Sequence, residues 1–233
     1  MTEKPFFTKL ENRGLIALKG VEALPFLQAL ITNDMALLSA ETLVYGCLLT
    51  PQGKFLHDFF ICEQDDEILI DCEGGKRIHD LYKRLMMYRL RSAVEIEIRA
   101  ENTAIYAVFG ESGYGLPDPR HSAMGYRSFE RPDHDKIEER PFSAWDERRI
   151  NLCIPDGSRD LVVGNSTMDE ARMDTLHAIS YSKGCYVGQE LTARMHYRGL
   201  GKKHLQMVDT ANLPDGAELR SHCGAVGLAL VRG

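Results

Sequence analysis

The chain has 233 residues, of which 44% are apolar and 27% charged, as in an ordinary globular protein of one large domain or two to three small ones. The net charge of −6 argues against nonspecific nucleic-acid binding through bulk charge. No apolar run approaches the roughly 18 to 20 residues that span a bilayer, and the N-terminus resembles neither a signal nor a transit peptide, so we expect a cytoplasmic protein without membrane or direct nucleic-acid partners.

The first half of the chain predicts strands interrupted by two helices. The first helix is expected to begin near Val21, because Pro25 is tolerated only in a first turn. The second follows Gly74-Gly75, where apolar residues from Ile78 to Met86 lie on one helical face. Strands are expected over residues 12–18, 43–50, 55–62, 67–72, 93–99 and 104–109. The irregular alternation favours an α+β fold over a doubly wound parallel sheet.

The second half predicts less regular structure. Residues 110–141 are rich in Gly, Pro, Asp and His and are expected to be mostly loop. Helices are expected over 142–150 and 168–178, and strands over 204–208 and 225–231.

The cysteines do not form a metal-binding or disulfide pattern. Six are scattered along the chain without a CxxC pair, so we expect reduced thiols and no metal site. Cys185 stands out because it lies in SKGCYVGQE, residues 182–190, between Gly184 and Gly188. A thiolate is stabilised by positive charge or free backbone amides, which Lys183 and a glycine-rich turn would supply. The alternative is a tight turn with a small buried thiol and a salt-bridged lysine. A third alternative is that Cys185 is a nucleophile activated by a histidine, with His177 or His196 as the base.

The run KGCYVGQELTAR, from Lys183 to Arg194, is followed by MHYRG and resembles the signature of the YgfZ family. These are folate-binding proteins related to the T-protein of the glycine cleavage system, and the family includes mitochondrial iron–sulfur assembly factors. The segments GVEALPFLQALITND, LLTPQGKFLHDFFI, GLPDPRHSAMGYRS and AWDERRI resemble other parts of the family, so the resemblance covers nearly the whole chain.

The resemblance implies an α+β, T-protein-like multi-domain arrangement around a central folate cavity. Residues 1–45 and 100–195 would form the folate-binding core, and residues 46–99 an α+β subdomain that contributes to the cavity. Residues 200–233 would form a small C-terminal β-barrel, which is either unusually reduced or incomplete because only residues 205–233 follow GLGKKH. A monomer is expected.

The implied function is binding of tetrahydrofolate, or a derivative, in the assembly or repair of iron–sulfur clusters in client enzymes, including tRNA-modifying ones. Its partners would be iron–sulfur client or assembly proteins. Lys183 and Cys185 are the residues that the resemblance associates with this role. Gly184, Gly188, Gln189 and Glu190 are carried over as members of the motif.

A folate site needs flat walls, a carboxylate or amide for the donor edge of the pterin, and a cation for the glutamate tail. The candidates for these tasks are Asn33, Asp34, Asp58, Tyr186, Trp145, Arg149 and Arg194. Each also has a structural interpretation as a helix end, a core residue or a surface charge.

Two further functions stay open. The first is a folate-dependent aminomethyltransferase, but the T-proteins have an Asp-Asp pair where this chain has His57-Asp58, and Arg-x-Glu-Ala-Gly where it reads RINLC from Arg149. Because a carboxylate beside the one-carbon centre would assist that chemistry, these departures weigh against transfer. The second is a binding scaffold in which Cys185 only packs.

Overall fold

The computed structural model describes residues 4–99, 104–110, 113–133, 135–199 and 201–233. The helices are α1 (Ala23–Leu30), α2 (Lys76–Arg89), α3 (Phe142–Asn151) and α4 (Gln189–Arg198). The strands are β1 (Phe6–Lys9), β2 (Arg13–Lys19), β3 (Val44–Leu49), β4 (Phe55–Gln64), β5 (Glu67–Glu73), β6 (Glu95–Ile98), β7 (Tyr106–Phe109), β8 (Leu116–Pro117), β9 (Tyr126–Ser128), β10 (Glu138–Glu139), β11 (Lys203–Asp209), β12 (Glu218–Cys223) and β13 (Val226–Arg232). Residues 1–3, 100–103 and 200, which bound the expected domains, lie outside the described residues.

The largest antiparallel sheet has the strand order β3-β4-β5-β2-β6 and carries α1 and α2 on one face. Side chains alternate between the two faces of a strand. On β2, Ile16 and Leu18 therefore pack with the helices, whereas Leu15 and Ala17 pack into a separate central core. The two-residue alternation thus builds two hydrophobic layers from one sheet.

The described residues form two further sheets. One has the order β10-β1-β7-β9-β8 and is antiparallel except where β10 runs parallel to β1. The other is the C-terminal sheet, with the order β11-β13-β12. Its described strands do not close into a barrel, so the barrel stays an expectation.

The central core joins all three sheets to α3. It contains Leu15 of the largest sheet, Phe109 of the second, Leu230 of the C-terminal sheet and Trp145 of α3. Trp145 is only 1% exposed and contacts Phe142, with 5.1 Å between ring centroids. The molecule is therefore packed from both faces of its largest sheet, and the expected α+β class is confirmed.

The predicted helix at 168–178 is wrong. This segment is a succession of turns in which Arg172 and His177 adopt positive φ angles of 48° and 57°. The amide of Met173 donates to the carbonyl of Met168, and that of Ala178 to Met173, each five residues back. Residues with positive φ end helical turns, so the spacing of apolar residues that suggested a helix instead fits consecutive turns.

Six elements were missed. They are β1 and β12, the short strands β8, β9 and β10 within the expected loop, and helix α4 after the glycine-rich motif. Among the described residues, no helix is both long and apolar enough to cross a membrane.

Candidate functional site

The glycine-rich motif is approached by a segment that is fixed to the corner following α1. Thr32 Oγ1 donates to the carbonyl of Ala178 at 2.6 Å, and Asn33 Nδ2 donates to that of His177 at 2.7 Å. The amide of Ser180 donates to the carbonyl of Thr32 at 3.0 Å. The motif therefore starts from a defined point beside this corner.

Lys183 makes the strongest attachment to the same corner. Its side chain is buried, and Nζ donates to the carbonyl oxygens of Gln28 at 2.7 Å, Ile31 at 2.8 Å and Asn33 at 2.7 Å. The last carbonyls of a helix lack partners within the helix, and a cation is favoured at this end of its dipole. Lys183 therefore caps the C-terminal end of α1.

Burial lowers the pKa of Lys183 to about 8, and the carboxylate of Asp34 opposes this shift. All three hydrogens of the ammonium group point to backbone carbonyls. The sequence suggested either a cation beside the thiol or a salt-bridged lysine. In the structure the ammonium group instead contacts the end of α1 and holds the motif against that helix.

Cys185 is exposed, whereas Cys47, Cys62 and Cys72 are buried and the remaining two cysteines are half-buried. Its sulfur makes no hydrogen bond to any described residue. A Cβ added to the neighbouring Gly184 would meet nothing within 4 Å. The thiol therefore stands in open space on a loop that the preceding lysine fixes, and the alternative of a buried thiol is not what the structure shows.

Gly188 ends the loop and precedes α4. Its φ of 84° is in the left-handed region, and a Cβ there would lie 2.6 Å from the carbonyl oxygen of Thr50 and 3.0 Å from the Cα of Gly53. Gly53 lies in the β3–β4 turn, where its own added Cβ would lie 2.9 Å from the carbonyl oxygen of Gly188. The two glycines allow the backbone of the motif to pack directly on the hairpin.

The remaining polar members of the motif lie on α4. Gln189 is the first residue of the helix, and Glu190 forms an i,i+4 ion pair with Arg194 at 2.7 Å. The side chains of this pair are 84% and 49% exposed, so the pair contributes little to stability. Arg194 remains a solvent-accessible cation.

Asn33 and Asp34 build the corner itself. Asn33 Nδ2 also donates to the carbonyl of Tyr45 at 2.8 Å, and its Oδ1 accepts from the amide of Asp34. Asp34 Oδ1 accepts from the amide of Ala36 and from Gln28 Nε2. Asp34 also lines an open surface groove of about 330 Å³ beside α1.

Asp58 lies in the centre of the molecule, on the inner face of β4. Its Oδ2 accepts from the hydroxyl of Tyr45 at 2.8 Å, while its buried Oδ1 has no hydrogen-bond partner among the described residues. Burial raises the pKa of this carboxyl, against the attraction of Arg13. A Cβ at Gly157 would lie 3.0 Å from Oδ1. Asp58 Oδ1 therefore faces Gly157, where any larger residue would crowd the oxygen.

Three arginines surround the ring of Phe60 next to this carboxyl. The guanidinium carbons of Arg127, Arg120 and Arg13 lie 3.6, 4.7 and 5.7 Å from the ring centroid. Asp71 accepts from Arg13 and Arg127, and Asp118 Oδ2 accepts from Arg120 at 2.7 Å. Sequence reasoning missed this cluster. The available signal was charged residues at inward-facing positions of the strands, since buried charges occur only when paired.

His57 lies on the opposite face of β4 from Asp58. Its Nδ1 accepts from Arg77 at 3.1 Å, which leaves Nε2 to donate to Asp80 Oδ2 at 2.8 Å. Burial lowers its pKa to about 4, and the charge of Arg77 adds to that shift. The neutral imidazole is thus fixed on the helix side of the sheet.

Trp145 and Arg149, two of the predicted folate contacts, are buried and make internal contacts. Trp145 is buried in the central core, as described above. Arg149 is fully buried, and its guanidinium donates to Asp146 Oδ1 at 2.6 Å, Asp160 Oδ2 at 2.6 Å and Ser221 Oγ at 2.8 Å. Arg149 therefore ties α3 to the C-terminal sheet. Its role in folate binding stays a prediction that its present contacts do not support.

Tyr186 and His196 flank the motif differently. Tyr186 is buried with its ring centroid 5.3 Å from Lys183 Nζ, and burial raises its pKa to about 12. His196 stacks on Tyr181 at 3.9 Å between centroids, and its Nδ1 lies 3.4 Å from Asp174 Oδ2. The rings of Tyr181 and His196 line a narrow cleft whose free volume is about 10 Å³, room for a single water. His196 therefore has a carboxylate and an aromatic ring as its neighbours.

No protein-family model matches the chain. A relative from Neurospora crassa, named "Iron-sulfur cluster assembly factor IBA57 homolog, mitochondrial", is 31% identical over 232 residues, which cover 85% of this chain and 52% of the relative. The human "Iron-sulfur cluster assembly factor IBA57, mitochondrial" is 29% identical over 273 residues, which cover 96% of this chain and 76% of that protein. This chain is similar to iron–sulfur cluster assembly factors. It spans about half the length of the Neurospora relative and three quarters of the human one.

The fold has a solved counterpart. The crystal structure of the glycine cleavage system aminomethyltransferase T from Bartonella henselae matches 98% of this chain and 78% of that chain, with a TM-score of 0.73 and 14% identity. The T-protein-like fold expected from the sequence is therefore confirmed.

The expected cytoplasmic location is contradicted. The relatives from Neurospora crassa and from human are both named mitochondrial. The absence of a recognisable transit peptide was the ground for that expectation, and the comparison overturns it.

Proposed function

We propose that this chain belongs to the same family as the IBA57 assembly factors and acts as an accessory protein in iron–sulfur cluster assembly through the thiol of Cys185. The exposure of Cys185 on an anchored loop is the observation that carries the proposal. The names of its relatives support the process in which we place it.

The chemistry of the thiol limits its part in that process. Iron–sulfur clusters are held by several thiolates, commonly four. Among the described residues, no group of three His, Cys, Asp or Glu side chains is placed to hold a metal ion. Cys185 would therefore act as one ligand to a cluster that is cargo, with the other ligands supplied by a client or assembly protein.

We also propose that the centre of the molecule binds tetrahydrofolate. Asp58 Oδ1 is a buried acceptor without a protein partner, and it suits the donor edge of a pterin. The aromatic ring of Tyr45, whose hydroxyl donates to the same carboxyl, packs on Phe60 beside it, with centroids 4.7 Å apart. Arg194 is the solvent-accessible cation among our candidates for the anionic tail, because Arg149 is paired internally.

The test of the thiol compares Cys185→Ser with Cys223→Ser, which alters a half-buried cysteine elsewhere. Each variant is expressed in cells that lack their own relative of this protein, and the activity of iron–sulfur enzymes is measured. We expect Cys185→Ser to fail and Cys223→Ser to restore activity. Full activity with Cys185→Ser would show that the thiol only packs and would leave a scaffold as the better description.

The folate proposal is tested separately by titrating the purified protein with tetrahydrofolate in a calorimeter. Asp58→Asn keeps the shape of the side chain and removes its charge, so we expect weaker binding, by about tenfold. Unchanged affinity in this variant would place the folate elsewhere. The tRNA-modifying clients and the monomeric state are supported by the family resemblance alone.

Aminomethyl transfer is the second candidate, favoured by the match to aminomethyltransferase T. Asp58 is the single carboxylate of the hairpin pair that remains, because His57 takes the other position and lies on the helix side of the sheet. Release of methylene-tetrahydrofolate from an aminomethyl donor at enzymatic rates would support transfer. We expect no such release.

A further inference from the structure

The outer face of α2 and the loop after it carry a concentration of positive charge. Between residues 76 and 91 there are six basic residues and one acidic residue, Asp80, in a chain whose net charge is −6. Arg77 and Arg84 pair with carboxylates of the same region. Lys83 and Arg91 are exposed and form no ion pair with any described residue. A free positive surface thus remains at the end of α2.

The three most exposed large apolar side chains among the described residues lie at this same end. They are Val21, Leu90 and Met87, which are 91%, 85% and 75% exposed. The start of α1 adjoins the loop after α2, because Glu22 Oε2 accepts from the amide of Ala93. We call Val21, Lys83, Met87, Leu90 and Arg91 together the α2 tip.

Leu90 reaches its exposed position at a conformational cost. Its φ of 45° and ψ of −104° lie where glycine is favoured and where a side chain is strained. Glycine is the usual residue after the last turn of a helix. Here a leucine occupies that position and extends into solvent, and backbone strain at an exposed apolar residue points to a function for the side chain.

We propose that the α2 tip is a docking surface for an anionic lipid bilayer. Its apolar side chains protrude almost completely rather than line a shaped pocket, which suits insertion between headgroups better than docking to a rigid protein surface. Lys83 and Arg91 lie beside these side chains and complement the negative charge of anionic lipid headgroups. The chain would lie on the membrane and would not cross it.

The proposal is tested by co-sedimentation of the full chain with vesicles. Phosphatidylcholine vesicles are compared with vesicles of phosphatidylcholine and phosphatidylserine in roughly a 7:3 ratio. We expect binding to the mixed vesicles alone, weakened by salt and unaffected by soluble glycerophosphoserine. Competition by glycerophosphoserine would indicate a headgroup pocket and overturn the proposal.

The variants separate insertion from misfolding. Leu90→Gly removes the apolar side chain and relaxes the backbone, so we expect about tenfold weaker vesicle binding with a Tm that holds or rises. Met87→Gln and Arg91→Gln should each weaken binding, whereas Leu213→Gln, at an exposed apolar site in the C-terminal region, should not. Absence of vesicle binding by the unaltered chain, or equal binding by Leu90→Gly, would overturn the proposal and leave a protein partner as the occupant of the tip. Cys185 takes no part in vesicle binding, so the outcome of this assay is independent of the proposed function.

Discussion

Lys183→Met tests whether the lysine of the motif is a structural cap. Methionine keeps the apolar stem and removes the ammonium, which leaves three backbone carbonyls without their donor. A buried acceptor left unsatisfied costs roughly 1–3 kcal/mol. The loss is offset in part, because the substitution also ends the burial of a charged group whose pKa is lowered to about 8. We expect a net loss of about 3 kcal/mol in the free energy of unfolding, or roughly 10 °C in Tm.

The measurement is urea unfolding followed by circular dichroism, with the midpoint compared at unchanged slope. Lys202→Met is the control, because Lys202 is exposed. Lys183→Arg should also destabilise, since a planar guanidinium does not match three carbonyls grouped around a compact ammonium. The reasoning is refuted if Lys183→Met unfolds at the same midpoint as Lys202→Met. A stable but inactive Lys183→Met would assign the lysine a direct chemical role.

Three further outcomes follow from the geometry. Gly188→Ala should lower the free energy of unfolding by about 3 kcal/mol, because at positive φ its Cβ would collide with the carbonyl of Thr50. Gly184→Ala should be nearly neutral, so equal urea midpoints for the two variants would contradict the reasoning. His57 has a pKa of about 4 when folded and about 6.5 when unfolded, so the unfolded chain binds the proton first as pH falls. Roughly 3 kcal/mol of stability should be lost between pH 6.5 and 4, and His57→Gln should flatten that profile in urea titrations at several pH values. In the native protein one thiol should react fastest with a disulfide reagent, and Cys185→Ser should remove that phase; a persistent fast phase would place the reactive thiol elsewhere.

The strands of the largest sheet could be predicted because their burial follows a local pattern. On β2 and β4, residues on opposite faces enter two different hydrophobic layers, so each strand reads in the sequence as a short and mostly apolar run. Helix α4 could not be found in this way. It buries only Thr192, so it has no apolar stripe to show helical periodicity.

The sequence left open whether the thiol of Cys185 is exposed or buried in a tight turn, and the role of Lys183 depends on distant residues. Its acceptors belong to residues 28–33, about 150 positions earlier in the chain. A lysine beside a cysteine suggests charge stabilisation of a thiolate, and only the fold shows that the ammonium points to a helix end. Two of the arginines around Phe60 were missed for the same reason, since Arg13 on β2 and Arg127 on β9 share the partner Asp71 on β5.

Asn33 links the buried and exposed parts of the function that we propose. One amide nitrogen donates both to the carbonyl of Tyr45, on β3, and to that of His177, which precedes the motif. The hydroxyl of Tyr45 in turn holds the carboxyl of Asp58. Because interiors are densely packed, a shift of β3 on binding a ligand at Asp58 would be transmitted to the backbone that leads to Cys185. The proposed folate site at Asp58 and the backbone that leads to Cys185 are thus connected through one chain of hydrogen bonds, by way of Tyr45 and Asn33.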